Sequence, residues 1–238
     1  MQIPGGEPLG FAHQMHSILA STMSATEDLQ KLLDGGVVAV IRADSGEVLA
    51  DVAEALLAGG VNAIEITFTV PQAHRVIETV ANRLGDKMLV GAGTVLDPET
   101  ARVALLAGAR YIVSPCLNLA TIEMCKRYGT LVMPGAFSPT EILTAWQAGA
   151  DVVKVFPSEI TGPAYLKALR GPLPQIRLMP TGGVTLQTAA DFLKAGACAL
   201  GIGSSLADPK AIAERRFGDI TELAKKYTQI VKEFRGKK

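Results

Sequence analysis

WQAGADVVKVFP, residues 146–157, reads as the last turn of a helix, a glycine stop and a short apolar strand. Gly149 suits the stop because the residue after a helix often needs a positive φ. The same pattern returns in LLAGGVNAIEIT (56–67), LLAGARYIVSP (105–115) and LKAGACALGIG (193–203). Continuously apolar strands that alternate with helical patterns argue for βαβ units and a parallel sheet covered on both faces.

Extended along the chain, this reading gives eight strands: VVAVI (37–41), NAIEIT (62–67), MLVGAG (88–93), YIVS (111–114), LVMP (131–134), DVVKVF (151–156), IRLMP (176–180) and CALGIG (198–203). Helical patterns lie between them. One opens on Asp97, Pro98 and Glu99, a cap, an N1 proline and a first-turn acid. Eight strands, each followed by a helix, predict an α/β protein of the (β/α)8 TIM-barrel type. A doubly wound open sheet is the alternative. No linker divides the chain, so residues 24–238 read as a single barrel domain behind a loosely ordered N-terminal extension, 1–23.

Composition narrows the function classes. Among 238 residues, 23 Lys and Arg balance 23 Asp and Glu, which gives no electrostatic argument for nucleic acid or an anionic membrane. No apolar run reaches a membrane span. The three cysteines, Cys116, Cys125 and Cys198, form no CxxC pair. Neither a disulfide framework nor a zinc site is expected, and a reducing cytoplasm is the default. The first 23 residues lack the basic and apolar regions of a signal peptide. His13 and His16 fall in that extension and His74 is the third histidine, so no Ser-His-Asp or Cys-His mechanism is expected.

DVVKVF holds the anomaly, because Lys154 sits among Val152, Val153, Val155 and Phe156. A buried ammonium needs a partner or gives up its proton, and a neutral amine attacks carbonyl carbons. In a barrel the carboxyl ends of the strands face the active site. Those ends are polar here: Arg42 after the first strand, Glu65, Thr67 and Thr69 on the second, Thr94 after the third. Glu65 and Thr67, two apart, share a face. PTGGV (180–184) and GIGSS (201–205) follow the last two strands, where this fold binds phosphate with loop amides at helix N-termini. Thr181, Gly182, Gly183, Gly203 and Ser204 would form that cradle. The competing readings are an ion pair of Glu65 with Lys154 or Arg42, and a salt bridge for Arg42.

An amine, a carboxylate and a phosphate cradle describe a class I aldolase that works through a Schiff base, with no metal and no cofactor. AVIRA, GGVNAIEITFTVP, VGAGTV, YIVSP, MPGAFSPTE, VVKVFP, PTGGV and IGSSL, from about residue 30 to 206, are similar to the 2-keto-3-deoxy-6-phosphogluconate aldolase family. Some of its members also cleave 4-hydroxy-2-oxoglutarate. The resemblance implies that Lys154 is the Schiff-base lysine and Glu65 the general acid/base. It implies a pyruvate contact from Thr94, phosphate contacts from both glycine loops, and Pro115 and Phe156 among the substrate-binding residues. It also implies a homotrimer acting on a phosphorylated 2-keto acid and yielding pyruvate and glyceraldehyde 3-phosphate. Thr69 departs from the pattern, since some members carry an arginine there for the pyruvate carboxylate; Arg42 is the candidate stand-in. Cys116 is expected to be a bystander. An epimerase on a phosphosugar would use the glycine loops without Lys154. A non-catalytic phosphate-binding barrel or assembly subunit would need neither the lysine nor Glu65.

Overall fold

The computed structural model describes residues 25–236, so the extension expected over 1–23, with His13 and His16, lies outside the described residues. Helix α1 (25–35) leads into β1 (Val37–Ile41). Then come α2 (Leu49–Ala58), β2 (Ala63–Thr67), α3 (Ala73–Leu84), β3 (Leu89–Gly93) and α4 (Pro98–Leu106). Next are β4 (Tyr111–Val113), α5 (Leu119–Arg127), β5 (Leu131–Met133), β6 (Gly135–Ala136) and α6 (Pro139–Gln147). The chain continues through β7 (Val153–Val155), α7 (Ser158–Arg170), β8 (Leu178–Pro180) and α8 (Ala189–Lys194). It ends with β9 (Leu200–Ile202), α9 (Pro209–Ala213) and α10 (Phe217–Arg235).

All strand pairs are parallel and run in the order β5-β4-β3-β2-β1-β9 and β6-β7-β8. Thr181 bridges Gly201, joining β8 to β9, so the strands form one barrel and the open sheet is set aside. The fifth expected strand, 131–134, ends one residue early as β5, and the unforeseen short strand β6 follows Pro134, which has no N–H to give the ladder. Its carbonyl still accepts from Lys154 N–H at 3.0 Å. Most strands are a residue or two shorter than their apolar runs. Tilted, staggered barrel strands lie side by side over only part of their length.

Strand parity explains why the runs are apolar throughout. Val38, Ala63, Leu89, Tyr111, Leu131, Val152, Met179 and Ala199 point inward and fill the barrel. Their alternates, such as Ile64, Ile66, Val153 and Val155, pack under the helices. Glu65 follows Ala63 by two and Lys154 follows Val152 by two, so both share the inward parity.

Local chemistry fixes the connections. Gly60, Gly108, Gly149 and Gly196, the repeated stop glycines, all have φ between +87° and +101°. Asp97 caps α4 by accepting from Thr100 N–H at 2.6 Å, with Pro98 at N1. Ser138 and Glu141 form a capping box on α6. The helix α10 closes the outer ring over α2, where Thr228 Oγ1 donates to the Gly59 carbonyl at 3.0 Å. A Cβ on Gly59 would stand 2.3 Å from Ala224 Cβ, so only glycine permits that approach. Among the described residues no helix is long and apolar enough to cross a membrane.

Candidate active site

Strands β2 and β7 stand on opposite sides of the barrel, second and sixth around the ring once β5 and β6 count as one. Their inward side chains meet across the axis. Lys154 Nζ lies 3.7 Å from Glu65 Oε1, with the side chains 3% and 1% exposed. That separation is an ion pair but longer than a hydrogen bond. Among the described residues neither carboxylate oxygen of Glu65 has a hydrogen-bond partner. Of the two pairings raised by the sequence, the one with Lys154 is present and the one with Arg42 is absent.

Room for the carboxylate is made by β3. A Cβ on Gly93 would fall 2.0 Å from Glu65 Oε1, and one on Gly91 would fall 2.2 Å from the Tyr111 ring. The glycines of VGAGTV are therefore a slot for the acid and the ring. Thr94 follows directly, with φ +55°. A β-branched residue in the left-handed region is strained by roughly 1–3 kcal/mol, a cost that tends to persist where a site needs the geometry.

Phe156 is two residues beyond Lys154 on the same face, and its ring centroid lies 5.3 Å from Lys154 Nζ. The ring borders a cavity of about 410 Å³ at the carboxyl end of the barrel. Arg42, Thr181, Gly182, Gly183, Gly203 and Ser204 line that cavity too. Arg42 is exposed and makes no ion pair among the described residues. Among the described residues it is the one basic side chain on this cavity. Thr181 is buried, and its hydroxyl has no hydrogen-bond partner among the described residues. It lies where a Gly201 side chain would stand, 2.2 Å from the ideal Cβ.

Three expectations change, and one lining residue was not foreseen. The glycine loops do not lie at helix N-termini: α8 begins at Ala189 and α9 at Pro209. The first loop is instead held by Thr188, which donates to the Gly183 carbonyl at 2.7 Å and accepts from Thr185 N–H. Any anion there is met by loop amides, with no long helix behind them. The Thr67 hydroxyl is already engaged, donating to the Ile41 carbonyl at 3.0 Å and bonded to Thr69. It ties β2 to β1 at the site's edge. Thr69 sits in the turn after β2, not on the strand. Glu159, which the sequence reading did not single out, also lines the cavity. Its place at the start of α7, two residues after VVKVFP, was the available signal.

Pro115 follows β4 and is half-buried. It sits so close to Gly135 that a Cβ there would meet the Pro115 carbonyl carbon at 2.3 Å. Cys116 is exposed, while burial pushes the Cys125 and Cys198 thiols up to about 12. His74 is exposed on α3.

A closed (β/α)8 barrel with one buried amine against one buried carboxylate is the framework of a class I aldolase. The family model "KDPG and KHG aldolase" matches residues 29–223. The chain belongs to this family, and it is a lyase. It is 38% identical over 78% of its length to the 2-dehydro-3-deoxy-6-phosphogalactonate aldolase of Escherichia coli K12, covering 90% of that protein. It is 36% identical over 82% of its length to the 2-dehydro-3-deoxy-phosphogluconate aldolase of Treponema pallidum, covering 93% of it. Among solved structures, the KDPG aldolase of Legionella pneumophila, with pyruvate captured as a covalent carbinolamine, superimposes with a TM-score of 0.76. The two are 29% identical, and the match covers 82% of this chain and 95% of that one.

Proposed function

We propose that the protein cleaves 2-dehydro-3-deoxy-6-phosphogluconate to pyruvate and glyceraldehyde 3-phosphate through an imine on Lys154. The observation that carries this reading is the 3.7 Å approach of Lys154 Nζ to Glu65 Oε1 inside the barrel. In the cleavage direction the unprotonated amine attacks C2 of the ketone to give a carbinolamine. Loss of water, with a proton delivered by Glu65, gives the protonated imine. The C4 hydroxyl proton then passes to Glu65, directly or along one water, as the C3–C4 bond breaks. The bonding electrons move to C3 and into the imine, leaving an enamine and releasing glyceraldehyde 3-phosphate. Protonation at C3 and hydrolysis of the imine free pyruvate and restore the amine.

At the other end, the cavity lined by Gly182, Gly183, Gly203 and Ser204 takes the phosphate. Arg42 lines the same cavity and offsets the Glu159 carboxylate there. Thr94, Pro115 and Phe156 border the pyruvate portion, and Thr181 supplies its free hydroxyl. Similar identity to a galactonate and a gluconate enzyme makes the C4 epimer the second substrate reading. Steady-state kcat/KM on the two epimers and on 4-hydroxy-2-oxoglutarate separates the readings; a higher value for the galactonate derivative would overturn the first.

The same assay tests the phosphate assignment. Ser204→Ala removes about one charge-assisted hydrogen bond, roughly 1.5–3 kcal/mol. Gly183 is a poor probe, because a Cβ there would lie 2.7 Å from Glu159 Cα. Gly203 is a good one, since a Cβ would meet only the Val40 carbonyl at 4.0 Å. Gly203→Val is expected to fill the cavity and, like Ser204→Ala, to impair the phosphorylated substrate far more than 4-hydroxy-2-oxoglutarate. Equal loss on both would show that these loops shape the barrel and do not read phosphate.

The proposal includes a cytoplasmic homotrimer. α4 buries Ala101 and Ala104 inward yet exposes Val103 and Leu106, the latter 70% exposed, and Leu96 before it and Leu119 on α5 are exposed as well. Such an apolar outer face is expected to be covered by another copy. Light scattering should give about 75 kDa, three times 25.0 kDa. A 25 kDa species at micromolar concentration would refute the trimer.

A further inference from the structure

We propose that Tyr111 is a positioning residue for the reaction: its hydroxyl holds the Glu65 carboxylate from the barrel floor through one bridging water. The inference rests on the reading of Glu65 as the proton-transfer group given above.

The register brings the two residues together. Glu65 pairs with Gly91, and Gly91 pairs with Tyr111, so the three lie in one row across β2, β3 and β4. Two strand spacings separate the outer pair, roughly 10 Å between Cα atoms. Only a glycine stands between them. The Tyr111 ring leans into that gap: an ideal Cβ on Gly91 would lie 2.3 Å from Cζ, the carbon bearing the hydroxyl. The Glu65 carboxylate leans over the next inward glycine of β3, since a Cβ on Gly93 would lie 2.0 Å from its Oε1. The hydroxyl is thus carried past Gly91 toward β2, beneath the carboxylate.

Three oxygens at this spot are buried without a hydrogen-bond partner: Tyr111 Oη and both carboxylate oxygens of Glu65. Orphaned buried polar atoms are rare in native proteins, and an internal water with two to four polar partners is the usual remedy. Tyr111 Oη and a Glu65 oxygen are two such partners. Burial and then the Glu65 charge push the tyrosine well above its ordinary range, so the phenol stays protonated and remains a donor. A phenylalanine would fill the barrel equally well. The hydroxyl is the part that packing does not need.

The groups around Glu65 make the test readable. Lys154 from β7 and Tyr111 from β4 are the titratable side chains that face it. The inward residues of the other strands, including Val38, Leu131, Met179 and Ala199, are uncharged.

Tyr111→Phe should keep the fold and still trap pyruvate on Lys154 with borohydride. Removing the donor disfavours the charged carboxylate, so the acid limb of kcat/KM should move up by about one pH unit. Turnover below neutrality should fall about tenfold, the equivalent of that unit, with little change in KM. An unchanged pH profile, with a melting temperature equal to or above wild type, would show that Tyr111 is only filling the barrel. A wild-type protein that forms no imine would instead sink the aldolase reading itself.

Discussion

Pyruvate and borohydride together will add one stable adduct to the protein, and proteolytic mapping will place it on the peptide containing Lys154. Among the described residues Lys154 is the one buried lysine, 3% exposed, with Val152 before it and Phe156 after it on the same inward face. Its position opposite Glu65 is where a carbinolamine could gain and lose water. Lys154→Met keeps the length and apolar stem but removes the nucleophile. It should abolish the adduct and lower kcat/KM on the order of 10⁵-fold or more, the scale on which covalent nucleophiles matter. Folding should survive, although Glu65 is left as a buried carboxylate without its counter-charge, a change that costs a few kcal/mol. A melting curve run beside the assay separates that loss from the chemical one. No adduct, or an adduct on another lysine, would end the Schiff-base reading.

Glu65→Gln should cut turnover by roughly 10²–10⁴-fold, the usual contribution of an acid–base group, while imine formation by trapping slows but persists. Its effect on stability should match that of Lys154→Met, a few kcal/mol, because Lys154 is left buried without its counter-charge. Glutamine also fits the space that Gly93 leaves. If activity survives while the melting temperature collapses, the carboxylate is a structural ion-pair partner, and the proton must move by another route. This outcome also removes the basis for a role of Tyr111 beneath it.

The two variants fail differently, which gives them their value. Losing Lys154 removes the covalent intermediate, so both trapping and turnover vanish. Losing Glu65 leaves the intermediate but starves it of proton transfer. A non-catalytic barrel would show neither signature, and an epimerase would keep its activity in Lys154→Met.

Much of this was legible in the chain by itself, because it depends on neighbours a few residues apart. The stop glycines at 60, 108, 149 and 196 and the cap at Asp97 are local demands of the backbone. They announced the alternation of helix and strand before any contact was known. Strand parity is local as well, so the inward placement of Glu65 with Ala63, and of Lys154 with Val152, followed once the strands were named. Barrel closure decided the rest. Lys154 and Glu65 are 89 positions apart, and they meet because β2 and β7 face each other across an eight-membered ring. Arg42 joins the glycine loops because β1 pairs with β9, and the Thr67 hydroxyl is taken by Ile41 because β1 also pairs with β2. The row Glu65–Gly91–Tyr111 exists only in the register of three tilted strands. No spacing along the sequence encodes that register: it is set by how the whole ring closes around its packed interior.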